Sequence, residues 1–154
     1  MTNSRRQRGT VAVEFSLLIL PLFAFLLMTM DLAWIFFGWA CIHEGVREGV
    51  RYAVTGSGQP EANLDSAIRS VVEQYSFGLV NPTNVASTVS IYYYSPTSFA
   101  SSTSPSPING QPTATAKGNV IKITVSGVSV GTFGPIFRDW TPISLTASSS
   151  DVLQ

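Results

Sequence analysis

The chain has little charge, one cysteine and one histidine. Only 12% of its 154 residues are Asp, Glu, Lys or Arg, nine basic and nine acidic, so the formal net charge is zero. Soluble globular chains carry about 25% charged residues. Nucleic-acid binding needs clustered Lys and Arg that displace counterions from phosphates, so this composition argues against a nucleic-acid partner. The lone Cys41 cannot form an intrachain disulfide, and the lone His43 cannot build a histidine-rich metal cluster.

Catalytic arrangements are missing as well. A triad that used Cys41 or a serine would need a histidine in the second half of the chain, where there is none. His43 lies beside Glu44 and is expected to be a side chain near a membrane interface, with a general base as the less favoured alternative. We therefore predict a protein that is not an enzyme and that has no cofactor, no metal and no small-molecule substrate.

A long apolar run is what the sequence does have. Between residues 11 and 42 the only formally charged residues are Glu14 and Asp31. A bilayer core needs roughly 20 helical residues, so this run predicts a transmembrane helix that projects beyond the membrane. The run is too long, and its glutamate too early, for a cleaved secretory signal. Three of the nine basic residues lie in residues 1–9, which predicts a cytoplasmic N-terminus and an extracytoplasmic C-terminal domain.

The two acidic residues in this run need an explanation. An acidic side chain at the centre of a membrane helix costs roughly 2.5–3.5 kcal/mol, so each should have a partner or lie near an interface. Asp31 precedes the cluster Trp34, Phe36, Phe37 and Trp39, which suits an aromatic belt at the far interface, with a partner-helix surface as the alternative. Glu14 is either a carboxylate at headgroup level or part of a motif.

The segment from Arg8 to Phe15 resembles the cleavage site of type IV pilin-like precursors. It combines a short basic leader, Gly9, a glutamate five residues further on, Phe15 and a long apolar run. The resemblance implies that a membrane-embedded prepilin peptidase cuts the Gly9–Thr10 bond on the cytoplasmic face. Cleavage would create an ammonium group on Thr10, which Glu14 of a neighbouring subunit could neutralise in a bundle of low dielectric constant.

Further residues are similar to the TadE-like pseudopilin family. They are Glu14 to Leu18, Pro21, Asp31 with Leu32, and the stretch 44–53, which contains Arg51, Tyr52 and Ala53. The resemblance covers residues 8–56. It implies a minor pseudopilin of a tight-adherence type IV pilus or a related secretion machine. Its partners would be the prepilin peptidase, other pilin-like subunits that contact the hydrophobic helix, and the bacterial inner membrane before assembly. A main filament subunit and an uncleaved single-span anchor presenting a binding module remain alternatives.

The helix is predicted to continue past the membrane to residue 55. Glu44 and Arg47, and likewise Glu48 and Arg51, are three residues apart and can form surface ion pairs, or else a charged collar that recognises a partner.

Two small residues lie on the same part of the helix. Gly45 and Gly49 are four residues apart and would permit close approach of another helix. Pro21 removes one backbone donor and marks where this long helix would bend.

The C-terminal part predicts an α+β fold. An amphipathic helix is expected over Pro60–Tyr75, and antiparallel strands over Val85–Tyr94, Asn119–Val130 and Ile143–Ser149, packed as a small sheet against that helix. The run Tyr92 to Tyr94 should place phenols on both faces of the sheet. These side chains would belong to the core and the surface, or else they would contact a sugar or another protein.

The expected organisation has three parts. Residues 1–9 form a basic leader, 10–55 the long helix, and 59–154 a small extracytoplasmic domain. Within this domain the Ser/Thr/Pro-rich segment 95–116 is expected to be a long exposed loop that supplies no packed core, with glycosylation as the sharper alternative.

Overall fold

The structure is a computed structural model that describes residues 4–101, 104–131 and 143–154, with side chains from residue 11 onward. The chain divides into two compact units. The first, here called the helix unit, comprises Met1–Phe36 with Gly131–Thr141, and the second, the α+β unit, comprises Phe37–Val130 with Pro142–Gln154.

One helix, α1, spans Ser4–Thr55 and has 52 residues. It begins six residues before the expected start at residue 10. It ends at Thr55, where the sequence predicted. Gly56 N–H still donates to the Tyr52 carbonyl at 3.0 Å, and the turn that follows contains Gly58 at a φ of +85°. That left-handed conformation is one that glycine adopts without steric cost, so it terminates the helix.

The second helix, α2, spans Glu61–Tyr75. Its residues Leu64, Ile68 and Val72 recur at helical spacing and are fully buried, which forms the apolar stripe that the sequence predicted. After the helix, Phe77 and Gly78 both have positive φ angles, of 53° and 79°. These two residues reverse the chain and end α2.

Three strands form an antiparallel sheet in the order β1-β2-β3. Strand β1 spans Val89–Tyr94, β2 spans Val120–Val130, and β3 spans Ile143–Val152. The α+β fold class is thereby confirmed. The expectation that a strand begins at Val85 is wrong, because Val85–Thr88 is a short helix, α3; a further short helix, α4, spans Pro96–Ser101.

The core of the α+β unit lies between the helices and one face of the sheet. This face carries buried residues from each strand, among them Val89, Ile91, Tyr93, Ile121, Ile123, Val125, Leu145 and Ala147. Opposite them lie the stripe of α2 and the buried residues Ile42, Val46, Val50 and Ala53 of α1. The last third of α1 is therefore a core helix of this unit.

The Ser/Thr/Pro-rich segment is more ordered than expected. Ala114 and Thr115 are buried, and the Thr115 hydroxyl donates to the Gln59 carbonyl at 2.8 Å. The Thr115 carbonyl accepts from Gly58 N–H at 2.9 Å, and Asn119 Nδ2 donates to the Thr113 carbonyl at 2.7 Å. Residues 108–119 thus pack on the start of α2. The expectation of a segment that contributes nothing to the core is wrong for this half of it.

Candidate functional site

The membrane-compatible part of α1 exposes its apolar side chains. Phe15 is 64% exposed and Leu20 is 72% exposed, although both are large and apolar. The helix is long and apolar enough to cross a membrane, and no residue of its most apolar stretch is buried within the chain. An exposed surface of this extent is typical of contact with lipid or with another apolar helix.

The residues of the predicted processing motif lie in the first part of α1. Gly9 and Thr10 belong to the helix, so the bond between them has helical backbone geometry. Glu14 is exposed among apolar neighbours, and Pro21 lies inside the helix. A peptidase that binds an extended backbone would have to unwind the first turns of α1 before it cut this bond.

Asp31 differs from the residues around it. It is 3% exposed, whereas Met30 and Leu32 on either side are more than half exposed. The cost of an acidic group in lipid is avoided when the group is buried within the protein. Asp31 is therefore a buried acidic residue on a helix whose neighbouring side chains are exposed.

The aromatic cluster continues into the α+β unit. Phe37 lies 6.3 Å from Phe77 between ring centroids, and Trp39 lies 4.2 Å from His43. His43 is half-buried against this indole ring. Its surroundings are those of a side chain that packs against an aromatic ring.

Both predicted ion pairs are present near the end of α1. Arg51 Nε lies 3.0 Å from Glu48 Oε2, and Arg47 lies 3.8 Å from Glu44. Because these arginines are more than 70% exposed, each pair contributes only a few tenths of a kcal/mol. Arg51 and Tyr52 also line an open groove of about 490 Å³ between α1 and α2.

Glycines of α1 form a close contact with α2. A Cβ atom added to Gly49 would lie 2.8 Å from Val72 Cγ2, and one added to Gly45 would lie 3.1 Å from the Val72 carbonyl oxygen. At Gly56, the first residue after α1, an added Cβ would lie 2.9 Å from Leu64 Cδ1. The small-residue pair identified in the sequence is therefore a packing face, and its partner is a helix of the same chain.

A buried polar contact links the sheet to α2, and sequence analysis missed it. The Tyr93 hydroxyl donates to Asp65 Oδ1 at 2.7 Å. Burial raises the pKa of both groups, and the hydrogen bond to Asp65 further raises the pKa of Tyr93. The only sequence signal was the polar Asp65 beside the apolar stripe of α2.

A second missed feature is the closure of one sheet edge. Asn109 Oδ1 accepts from Tyr93 N–H at 3.0 Å, and Asn109 Nδ2 donates to the Ile91 carbonyl at 2.7 Å. Ile108 N–H donates to the Tyr93 carbonyl at 2.8 Å. These residues occupy the hydrogen-bonding positions of a fourth strand beside β1.

The sequence contains the Gly-x-Ser-x-Gly spacing of a nucleophile elbow, but the structure does not form the elbow there. Gly127, Ser129 and Gly131 have the Gly-x-Ser-x-Gly spacing, but Ser129 lies within β2, where it pairs with Ser144. A nucleophile elbow needs a sharp turn from strand to helix, so this serine is part of the sheet. Among the described residues no group of acidic, histidine and cysteine side chains could hold a metal ion.

Comparison with known proteins agrees with the N-terminal motif. The family model described as TadE-like protein matches residues 9–51. This match confirms the resemblance seen in the sequence and begins at Gly9. No curated protein and no solved structure matches the chain.

Proposed function

We propose that this protein is a minor pilin-like subunit of a tight-adherence type IV pilus or a related secretion machine. The TadE-like match over residues 9–51 indicates a pilin-like protein of the Tad system, and one long apolar helix is consistent with a membrane anchor. The observation that carries the proposal is the exposed apolar surface of α1 with Glu14 in it, five residues after Gly9. Such a helix can move from lipid into a bundle of similar helices.

The protein is inserted in the inner membrane with residues 1–9 in the cytoplasm and the α+β unit outside. The three arginines among residues 1–9 favour this orientation. A prepilin peptidase then removes the leader after Gly9. Glycine supports this step, because the least hindered backbone is the easiest for a protease to bind in an extended form.

Processing is tested by mass spectrometry of the full chain after coexpression with an active or an inactivated prepilin peptidase. The active enzyme should remove the mass of residues 1–9. The variant Gly9→Leu should stay intact because its side chain obstructs the bond, while the matched control Thr10→Ser should be cut. An unchanged wild-type mass with the active enzyme would contradict the processing step.

Glu14 serves assembly more than insertion. In the assembled bundle its carboxylate neutralises the new Thr10 ammonium of a neighbouring subunit. Removal of one partner of a buried ion pair costs roughly 3–5 kcal/mol, so the loss of assembly should be large. Glu14→Gln should insert and be cleaved normally, yet co-purify poorly with the other pilin-like subunits. Co-purification at the wild-type level would show that Glu14 is a solvated headgroup residue.

An uncleaved anchor that presents the α+β unit is the second candidate. One observation favours it: Gly9 and Thr10 lie within α1 and have helical backbone, whereas a peptidase would need this bond in an extended form. An intact N-terminus on the protein isolated from its natural membrane would support this candidate.

A further inference from the structure

Phe77, in the turn that follows α2, is exposed although it is large and apolar. Its side chain is 74% exposed, the highest value among the large apolar residues that the structure describes. Its backbone has a φ of +53°, and no other described residue except glycine has a positive φ. Bulky side chains rarely adopt this conformation, which glycine and asparagine adopt more readily. The fold therefore holds an apolar ring outside the core, in a turn where a small or polar residue would fit better.

The packing of α2 on α1 carries this turn towards the apolar run of α1. A Cβ added to Gly56 would lie 2.9 Å from Leu64 Cδ1, near the start of α2. A Cβ added to Gly45 would lie 3.5 Å from the backbone nitrogen of Ser76, just after the end of α2. Later residues of α2 thus lie beside earlier residues of α1, so the two helices are antiparallel. The chain beyond Ser76 meets α1 on the N-terminal side of Gly45.

Phe37 is the residue of α1 that Phe77 reaches. The two ring centroids are 6.3 Å apart. Because an α-helix rises about 1.5 Å per residue, Phe37 lies about 39 Å along α1 from Val11, where the described apolar run begins. A bilayer is about 30 Å thick in its hydrocarbon core and about 40–45 Å with its headgroups. Phe37 would therefore lie in the outer interfacial region, where aromatic side chains are favoured.

We propose that Phe77 inserts into the interfacial region of the bilayer that α1 spans and holds the end of α2 at the membrane surface. The inference rests on the membrane span of the proposed function, but not on cleavage or assembly. Lipid is the partner because the Phe77 ring continues the surface of Phe37 and Trp39, which are both 48% exposed at this depth of α1. None of residues 74–80 is charged, so the turn can enter the interface without desolvating a charge.

The strained backbone fits this partner. Residues held in a sparsely populated conformation are found where function requires them. Within the α+β unit alone, the ring of Phe77 gains little burial that would offset the strain. In the interfacial region the same ring is removed from water, which supplies the missing stabilisation. The protein thereby has a second contact with the bilayer besides α1.

The first test measures depth by electron paramagnetic resonance on the full chain, with one chain in each nanodisc of phosphatidylethanolamine and phosphatidylglycerol. Cys41 is replaced by alanine, and a nitroxide is attached to a single new cysteine in Leu20→Cys, Phe77→Cys or Ala62→Cys. Oxygen concentrates in the bilayer and a nickel chelate stays in water, so the ratio of their effects on the label reports its depth. The ratio at residue 77 should lie between the lipid-like value at Leu20, in the apolar run, and the water-like value at Ala62, exposed at the start of α2.

The outcomes separate this inference from the proposed function. A ratio at residue 77 equal to that at residue 62, with a lipid-like ratio at residue 20, would overturn the insertion of Phe77 and leave the span of α1 in place. A water-like ratio at residue 20 would contradict the span and the insertion together. If the label at residue 77 leaves water only when two or more chains share a disc, its partner is protein, and lipid insertion is refuted.

The second test asks whether the ring itself holds the turn in the membrane. The label is placed on Gln74→Cys, which is exposed one turn before Phe77, again with Cys41→Ala. Phe77→Asn adopts the left-handed backbone with less strain but lacks the ring. It should shift the ratio of inserted to withdrawn turn about ten-fold towards water, since burial of a phenylalanine side chain contributes about one such factor or more. The matched variant Phe77→Leu stays apolar and should keep the label near its original depth. Equal depths in the two folded variants would refute the role of the ring.

Discussion

The contact between Gly49 and α2 predicts that Gly49→Ala destabilises the protein when residue 72 is valine and stabilises it when residue 72 is alanine. In an exposed helix, alanine is more favourable than glycine by about 1 kcal/mol. At Gly49 the added methyl group would lie 2.8 Å from Val72 Cγ2, closer than carbon atoms pack, and Val72 is fully buried and branched at Cβ. Overpacking of this kind costs about 1–3 kcal/mol. We therefore expect Gly49→Ala to lower the free energy of unfolding by about 1 kcal/mol, as the difference between these two effects.

Removal of the obstructing methyl group should reverse this result. In a Val72→Ala background the remaining neighbours of the new methyl, Ile123 Cδ1 at 3.4 Å and Ile68 Cγ2 at 3.5 Å, are at tolerable distances. Gly49→Ala should then stabilise the protein by about the helix-propensity difference of 1 kcal/mol.

The assay is chemical denaturation of the full chain in detergent, followed by near-ultraviolet circular dichroism. Ser70 supplies the control, because it is exposed in the middle of α2. The difference between Ser70→Ala and Ser70→Gly measures the propensity term without any packing change. If Gly49→Ala stabilises the wild-type background by as much as this control difference, the close contact between α1 and α2 is refuted.

Three other results are expected. Burial raises the pKa of Tyr93 above its usual 10.0. The tyrosine therefore ionises more readily in the unfolded chain, and the free energy of unfolding should fall as the pH rises above about 10. Tyr93→Phe should show a smaller fall, and parallel curves of unfolding free energy against pH for the two proteins would contradict this. Limited proteolysis should cut among residues 96–101 and 104–107, most of which are exposed, before it cuts within 108–119. First cuts within 108–119, mapped by mass spectrometry, would contradict the packing of that segment on α2. In cytoplasm-out inner-membrane vesicles, added protease should spare residues from about 56 onward, and their digestion would invert the topology.

Local patterns predicted most of the secondary structure. The apolar run predicted α1, helical spacing of Leu64, Ile68 and Val72 predicted α2, and alternation of Val89, Ile91 and Tyr93 predicted β1. These features depend on neighbours within one or two turns, so the sequence carries them directly.

Long-range contacts were not predictable in this way. The β-branched Val85 belongs to a short helix, and Asn109 completes a sheet edge 18 residues away in sequence from its partner Ile91. Segment 95–116 was interpreted from its composition, which contains no information on where side chains such as Thr115 find their partners. Likewise the spacing of Gly45 and Gly49 indicated close packing but not the identity of the helix that packs there.

The closure of the β1 edge by Asn109 also links folding to the chemical ageing of the chain. Asn109 is followed by Gly110, and an asparagine before a glycine loses its amide when the next backbone nitrogen attacks the side-chain carbonyl. In the folded unit that nitrogen donates to Glu61 Oε2 at 2.8 Å, and both ends of the amide are hydrogen-bonded to β1. Folding therefore protects the amide, while a chain that stays open can lose it. The resulting carboxylate has no N–H to offer the Ile91 carbonyl, so an aged chain would close this edge with one hydrogen bond fewer.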